Sequence, residues 1–172
     1  MTLAMIDTQV LQYLVVTAMD LAGVPDVAHQ VREWHDSLGK KHTLCLSSLV
    51  LGEFLAQHPQ TIHKDLMNVL REDWVIYAYN DLAAIEFARL RYEHTHKERQ
   101  NSQVYKEIMA QKRNHTVTRQ GSRVDTLILA HAVATGAEVF FTLNDDDFSK
   151  LAQGIVSIRI EHPLPKQPRL LS

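Results

Sequence analysis

Four times along the chain a short apolar run passes through a polar turn into a helical period, and this alternation limits the fold more than any other feature of the sequence. Leu3–Ile6 leads to a helix over Gln9–Ala18, and Thr43–Leu46 to one over Leu49–Gln57. Trp74–Tyr79 leads to a long helix through Tyr92, and Glu138–Thr142 to a single helical turn at Ser149–Gln153. Strands joined by connections long enough to hold a helix are the pattern of parallel pairing, because antiparallel neighbours need only a tight turn. Further helices are expected over Asp26–Leu38, Thr61–Glu72 and Val124–Thr135, the last apolar nearly all round and therefore buried, with a final strand at Ile155–Ile160. The expected fold class is α/β, a three-layer sandwich with a central mainly parallel sheet of four to five strands flanked by helices.

A chain of 172 residues, 45% hydrophobic, suits one domain with a core large enough to fold alone. That domain is expected to span residues 1–162, followed by a tail over 163–172 that Pro163, Pro165 and Pro168 keep extended. A basic helical excursion interrupts it at about 95–121, with a helix over Ser102–Arg113. The net charge of −2 conceals an asymmetry: residues 89–123 hold nine of the eighteen lysines and arginines against three acids. Such a stretch can hold a phosphate backbone, and Lys112, Arg113, His115, Arg119 and Arg123 are the candidate nucleic-acid contacts. The single cysteine, Cys45, lies in an apolar run and reads as core, which favours a reducing compartment. No stretch reaches membrane-spanning length and the N-terminus lacks the marks of a signal peptide, so a cytoplasmic protein without a membrane partner is expected.

In a parallel sheet each crossover helix starts beside the carboxyl ends of the strands, and residues just after a strand collect along that edge. Asp7 follows the first strand, Glu53 lies in the helix after the second, Asp125 opens the buried helix, and Asp145, Asp146 and Asp147 follow the fourth strand. Each has an ordinary structural explanation. Asp7 suits a helix cap, Ser122-Arg-Val-Asp125 matches a capping box, and the aspartate run suits a solvated turn. Glu53 fits such a role least, because on a helical wheel it falls between Leu49 and Val50, inside the apolar arc. Asp125 likewise shares its side of the helix with Ile128, Leu129 and Ala132. Along an extended run, Asp145 and Asp147 would face inward and Asp146 outward. Carboxylates gathered in this way repel one another unless a hard divalent cation such as Mg²⁺ or Mn²⁺ joins them.

Four segments carry a resemblance: "IDT" at 6–8, "LSSLVLGEF" at 46–54, "RVDTLILAHAVATGAEVFFT" at 123–142 and "NDDDF" at 144–148. In order, spacing and strand-helix context they are similar to the motifs of PIN-domain ribonucleases, closest in appearance to VapC-like toxin ribonucleases. The resemblance implies a divalent-metal-dependent endoribonuclease, a hydrolase of RNA phosphodiester bonds. It maps the catalytic acids onto Asp7, Glu53, Asp125 and Asp145, the metal ligands onto the same four with Asp147, and polar supports onto Thr8, Thr142 and Asn144. It also implies an RNA substrate, an antitoxin-like protein partner and room for a homodimer.

Rival chemistries find less support. The ten histidines are scattered without HExxH or cysteine partners, and His131 reads as a satisfied core residue rather than a zinc ligand. Phosphate-loop and dinucleotide fingerprints are absent, as is the acidic pair after strand one that a receiver domain would carry. The alternative of another class is a non-catalytic PIN-like module that binds RNA or protein.

Overall fold

The computed structural model describes residues 1–18, 23–100, 121–155 and 157–165, with the side chains of 94–100 and 121–122 left aside. Five strands, β1 (Thr2–Ile6), β2 (His42–Ser47), β3 (Val75–Tyr77), β4 (Val139–Phe141) and β5 (Arg159–Glu161), form one sheet in the order β3-β2-β1-β4-β5. Every pairing is parallel: Met5 sits opposite both Cys45 and Phe140, Leu46 opposite Ile76, and Phe140 opposite Ile160. The order follows from burial. Ala4, Met5 and Ile6, Cys45 and Leu46, and Val139, Phe140 and Phe141 are apolar without a break and buried, as strands covered on both faces must be. The outer strands β3 and β5 are only partly covered, and Val75 is 49% exposed.

Among the described residues seven α-helices flank the sheet: α1 (Thr8–Ala18), α2 (Asp26–Leu38), α3 (Ser48–Ala56), α4 (His63–Asp73), α5 (Asp81–Gln100), α6 (Gly121–Ala134) and α7 (Asp145–Leu151). None of the described helices is long and apolar enough to cross a membrane. α1 packs on α2 and α3, and α5 lies along α6. The helix α6 ends where Gly136 takes a φ of 75°, with Ala137 N–H bonded to the Ala132 carbonyl and Gly136 N–H to that of Val133. That paired closure turns the chain directly into β4. Cys45 is buried as expected, and burial pushes its thiol up to about 12.

Four local expectations are corrected. The helix after β4 begins at Asp145 rather than Ser149, because three carboxylates in a first turn complement the exposed N–H groups there. The final strand is confined to Arg159–Glu161, and Ser122 lies inside α6 rather than capping it. α5 continues to Gln100, so the start of the excursion is helical backbone, while the helix expected over 102–113 lies outside the described residues. Near the end of the described chain Pro163 is buried and Leu164 N–H donates to the His162 ring at 3.1 Å.

Candidate active site at the carboxyl edge of the sheet

Asp7 occupies the residue between β1 and α1, the position of a helix cap, and its carbonyl accepts the first helical bond from Leu11 N–H at 3.0 Å. Its side chain is used otherwise. Oδ1 accepts Thr8 N–H at 2.7 Å, and Oδ2 accepts the hydroxyl of Thr142, which follows the neighbouring strand β4, at 2.9 Å. Thr142 is fully buried, and its hydroxyl also accepts Asn144 N–H at 3.0 Å. The Asp7 carboxylate is therefore fixed across two adjacent strand ends. Burial raises its pKa most, the bonds from Thr142 and Thr8 oppose that rise, and the charge of Glu53 adds to it.

Glu53 comes from the middle of α3, between buried Val50 and Phe54, and is itself half-buried. Its Oε2 accepts the Thr8 hydroxyl at 2.6 Å, so Thr8 meets Glu53 with its side chain and Asp7 with its backbone. Asp125 stands in the second turn of α6 and is also half-buried. Burial first, then the charges of Asp7, Glu53 and Asp147, push its carboxyl up to about 6. Electrostatic coupling among residues from the β1–α1 junction, α3, α6 and α7 shows how closely these elements approach at one end of the sheet.

A cleft of about 530 Å³ opens there, lined by Asp7, Glu53 and Asp125 with Thr8 and Asn144. Asp145 and Asp147 stand on α7 outside this lining. Because the run is helical, residues two apart point about 200° away from each other and cannot share a face as they would in a strand. Asp145 is half-buried, Asp146 is exposed, and Asp147 is exposed and bonded to Lys150 Nζ at 2.8 Å. Thus the structure brings Asp7, Glu53, Asp125, Thr8, Thr142 and Asn144 together and leaves Asp147 facing solvent. Lys112, Arg113, His115 and Arg119 lie outside the described residues; Arg123 is exposed on the first turn of α6. Part of the basic surplus is neutralised locally, since Arg89 is bonded to Glu86 and Glu93 along α5.

The lining also contains Gln9, Gln12 and Gln57, which the sequence reading missed. Helical spacing could have found them: Gln9 and Gln12 follow Asp7 three apart on one face of α1, and Gln57 is one turn beyond Glu53. His131 is buried as expected but only half satisfied. Its Nδ1 lies 2.7 Å from Ser47 Oγ, whereas Nε2 lacks a partner.

The donor chemistry fits a hard divalent ion, because Asp7, Glu53 and Asp125 offer only carboxylate oxygens. Among the described residues no ion pair reaches any of the three. As the side chains lie, no three acidic, histidine or cysteine groups among the described residues are close enough to share one ion. Asp7 and Glu53 instead direct oxygens onto threonine hydroxyls, as repelling carboxylates do.

No protein-family model matches the chain, and no curated protein matches it in sequence. Solved structures do share its fold. VapBC2 from Rickettsia felis bound to a DNA fragment from their promoter aligns with a TM-score of 0.57 at 19% identity, covering 94% of this chain and 98% of that one. DNA-bound VapBC from Salmonella typhimurium aligns at 0.52 and 23% identity over 95% and 100% of the two chains. VapBC-1 from nontypeable Haemophilus influenzae aligns at 0.58 and 16% identity over 94% and 98%. Full coverage on both sides extends the likeness to the five-stranded parallel sheet and its crossovers, and the chain has the fold of a VapC-like PIN domain.

Proposed function

We propose that the protein is a divalent-metal-dependent endoribonuclease and the toxin of a toxin–antitoxin pair. The observation that carries this reading is the meeting of Asp7, Glu53 and Asp125 in one cleft, with no cationic side chain among the described residues to compensate them. Such an arrangement is unfavourable for an inert protein and useful for one that binds a cation. Asp7, Glu53 and Asp125 would hold Mg²⁺ or Mn²⁺, with Asp145 and Asp147 as further carboxylates from α7. A bound divalent ion supplies an acidified water and charge relief at the phosphate.

The chain's own groups do the rest. Thr142 and Thr8 hold Asp7 in one orientation, so its carboxylate is preorganised. Thr8 also engages Glu53 Oε2, leaving Oε1 to orient a water for attack on the phosphodiester. Asp125, whose carboxyl burial and the charges of Asp7 and Glu53 push up to about 6 without metal, gains most from a cation that offsets that repulsion. Gln9, Gln12 and Gln57 add amide donors and acceptors along the cleft wall for sugar or base edges. Lys112, Arg113, Arg119 and Arg123 would contact phosphates, each lost contact lowering the salt dependence of binding by about 0.7–0.9 in logarithmic slope. An antitoxin-like protein partner is proposed from the fold it shares with chains of VapBC complexes.

The test is cleavage of mixed RNA with Mn²⁺, with EDTA, and by Asp125→Asn. Cleavage that needs the metal and Asp125 supports the reading. Cleavage that survives both changes overturns it, and retention of RNA without cleavage assigns the chain to the non-catalytic class.

A further inference from the structure

Two of the three cleft carboxylates stand on helices that also meet behind the cleft. α3 carries Glu53 and starts from Ser47; α6 carries Asp125 and, six residues later, His131. Ser47 and His131 are both fully buried, and Ser47 Oγ lies 2.7 Å from His131 Nδ1 across 84 residues of sequence. The same oxygen accepts Leu49 N–H at 3.0 Å, which caps α3. The hydroxyl has one proton and two lone pairs, so beside the Leu49 bond it can donate to Nδ1 or accept from it, as the ring's tautomer decides. Nε2 has no hydrogen-bond partner of good geometry, although the Ala78 backbone lies close enough to the ring to favour its charged form against burial. Tyr79 meets the ring edge-on, with centroids 5.5 Å apart, and its N–H donates to Ser48 Oγ at 3.0 Å.

An imidazole buried with one nitrogen poorly served is costly, and an aliphatic side chain on this face of α6 would avoid that cost. What the histidine supplies is a directional bond to the residue that starts α3. α3 is only nine residues long, so fixing its first turn fixes the direction in which Glu53 projects. We propose that Ser47 and His131 form a positioning pair that sets the separation of Glu53 and Asp125, and with it the affinity of the cleft for a divalent cation. The cation part rests on the function proposed above; the separation does not.

Two measurements on the full chain test this. Mn²⁺ is titrated calorimetrically into wild type, Ser47→Ala, His131→Leu and His131→Asn, the last keeping a polar atom where Nδ1 stands. Ser47→Ala and His131→Leu are expected to bind Mn²⁺ about tenfold more weakly, while His131→Asn stays close to wild type. In parallel, nitroxide labels at Gly52→Cys and Arg123→Cys report the distance between the two helices; a side chain at Gly52 meets nothing within 4 Å, and Cys45 is buried away from the label. The distance distribution should shift or broaden in His131→Leu and recover in His131→Asn. Wild-type Mn²⁺ affinity and an unchanged distance in folded His131→Leu or Ser47→Ala would overturn the pair's role. If wild type itself fails to bind Mn²⁺, the metal reading falls, and the label distance alone decides whether the pair positions the helices.

Discussion

The β1–α1 and β4–α7 junctions lie side by side at the carboxyl edge of the sheet, and both place aspartate where a strand becomes a helix. The first has one and the second has three, yet the single one is the more constrained. Asp7 is half-buried, held by two hydrogen bonds, and its pKa is raised. Of the three, Asp146 and Asp147 are exposed, and Asp147 is occupied by Lys150. Charge density in sequence therefore does not track how firmly a carboxylate is held. Burial and fixed hydrogen bonds decide which carboxylate pays for its position and which merely suits a helix terminus.

The largest expected difference between the junctions is in catalysis. Asp7→Asn should reduce metal-dependent RNA cleavage by about 100-fold or more, whereas Asp146→Asn should leave it within about twofold. Single-turnover cleavage at saturating Mn²⁺ measures both. Equal losses would put the two junctions on the same footing.

Next in size is a stability effect at Asp125, which the carboxylates of both junctions repel. Its folded pKa of about 6 lies above the ordinary value of 3.8, so the folded state binds the proton more readily than the unfolded chain. Metal-free stability should accordingly fall as pH rises from about 4 to 6 and stay at the lower level above that. Allowing for partial solvent screening, the loss is about 1–2 kcal/mol. Asp125→Asn should flatten this profile and raise the metal-free Tm near pH 7 by about 4 °C, while reducing the stabilisation given by Mn²⁺. Thermal melts across pH 4–8 show it, and a variant that keeps the wild-type slope would assign the slope to other groups.

A smaller effect separates the two threonines. Thr142→Val leaves Asp7 Oδ2 without its donor and should cost about 1–2 kcal/mol, because the position is buried. Thr8→Val removes the donor from Glu53 in a less enclosed position and should cost less. Denaturant melts of both variants at pH 7 rank them. Smallest is Lys150→Ala, which opens an exposed ion pair and should leave stability close to that of wild type.

Much of the fold was legible because strong local patterns coincide with the tertiary demand. Continuous apolar runs marked β1, β2 and β4 as inner strands, and crossovers of helical length required parallel pairing. Glu53 and Asp125 stood out because each interrupts an apolar arc. The onset of α7 was misread for a physical reason: the two-residue alternation of a strand was applied to a run that starts a helix. Gln9, Gln12 and Gln57 were readable by spacing but attracted no notice, being neutral. The Ser47–His131 bond was beyond local reading, since each residue has an ordinary place in its own element and only the fold joins them.

The hydrogen bond between Thr142 and Asp7 joins residues 135 apart in the chain. β1 precedes β4 by more than 130 residues, yet it becomes a central strand only when β4 arrives beside it. Contacts of such long range form late, because loop closure must precede them. A fragment that stops ahead of β4 consequently holds Asp7 with no Thr142 to orient it, so the carboxylate at the first strand end takes its fixed direction only from a part of the chain more than a hundred residues away.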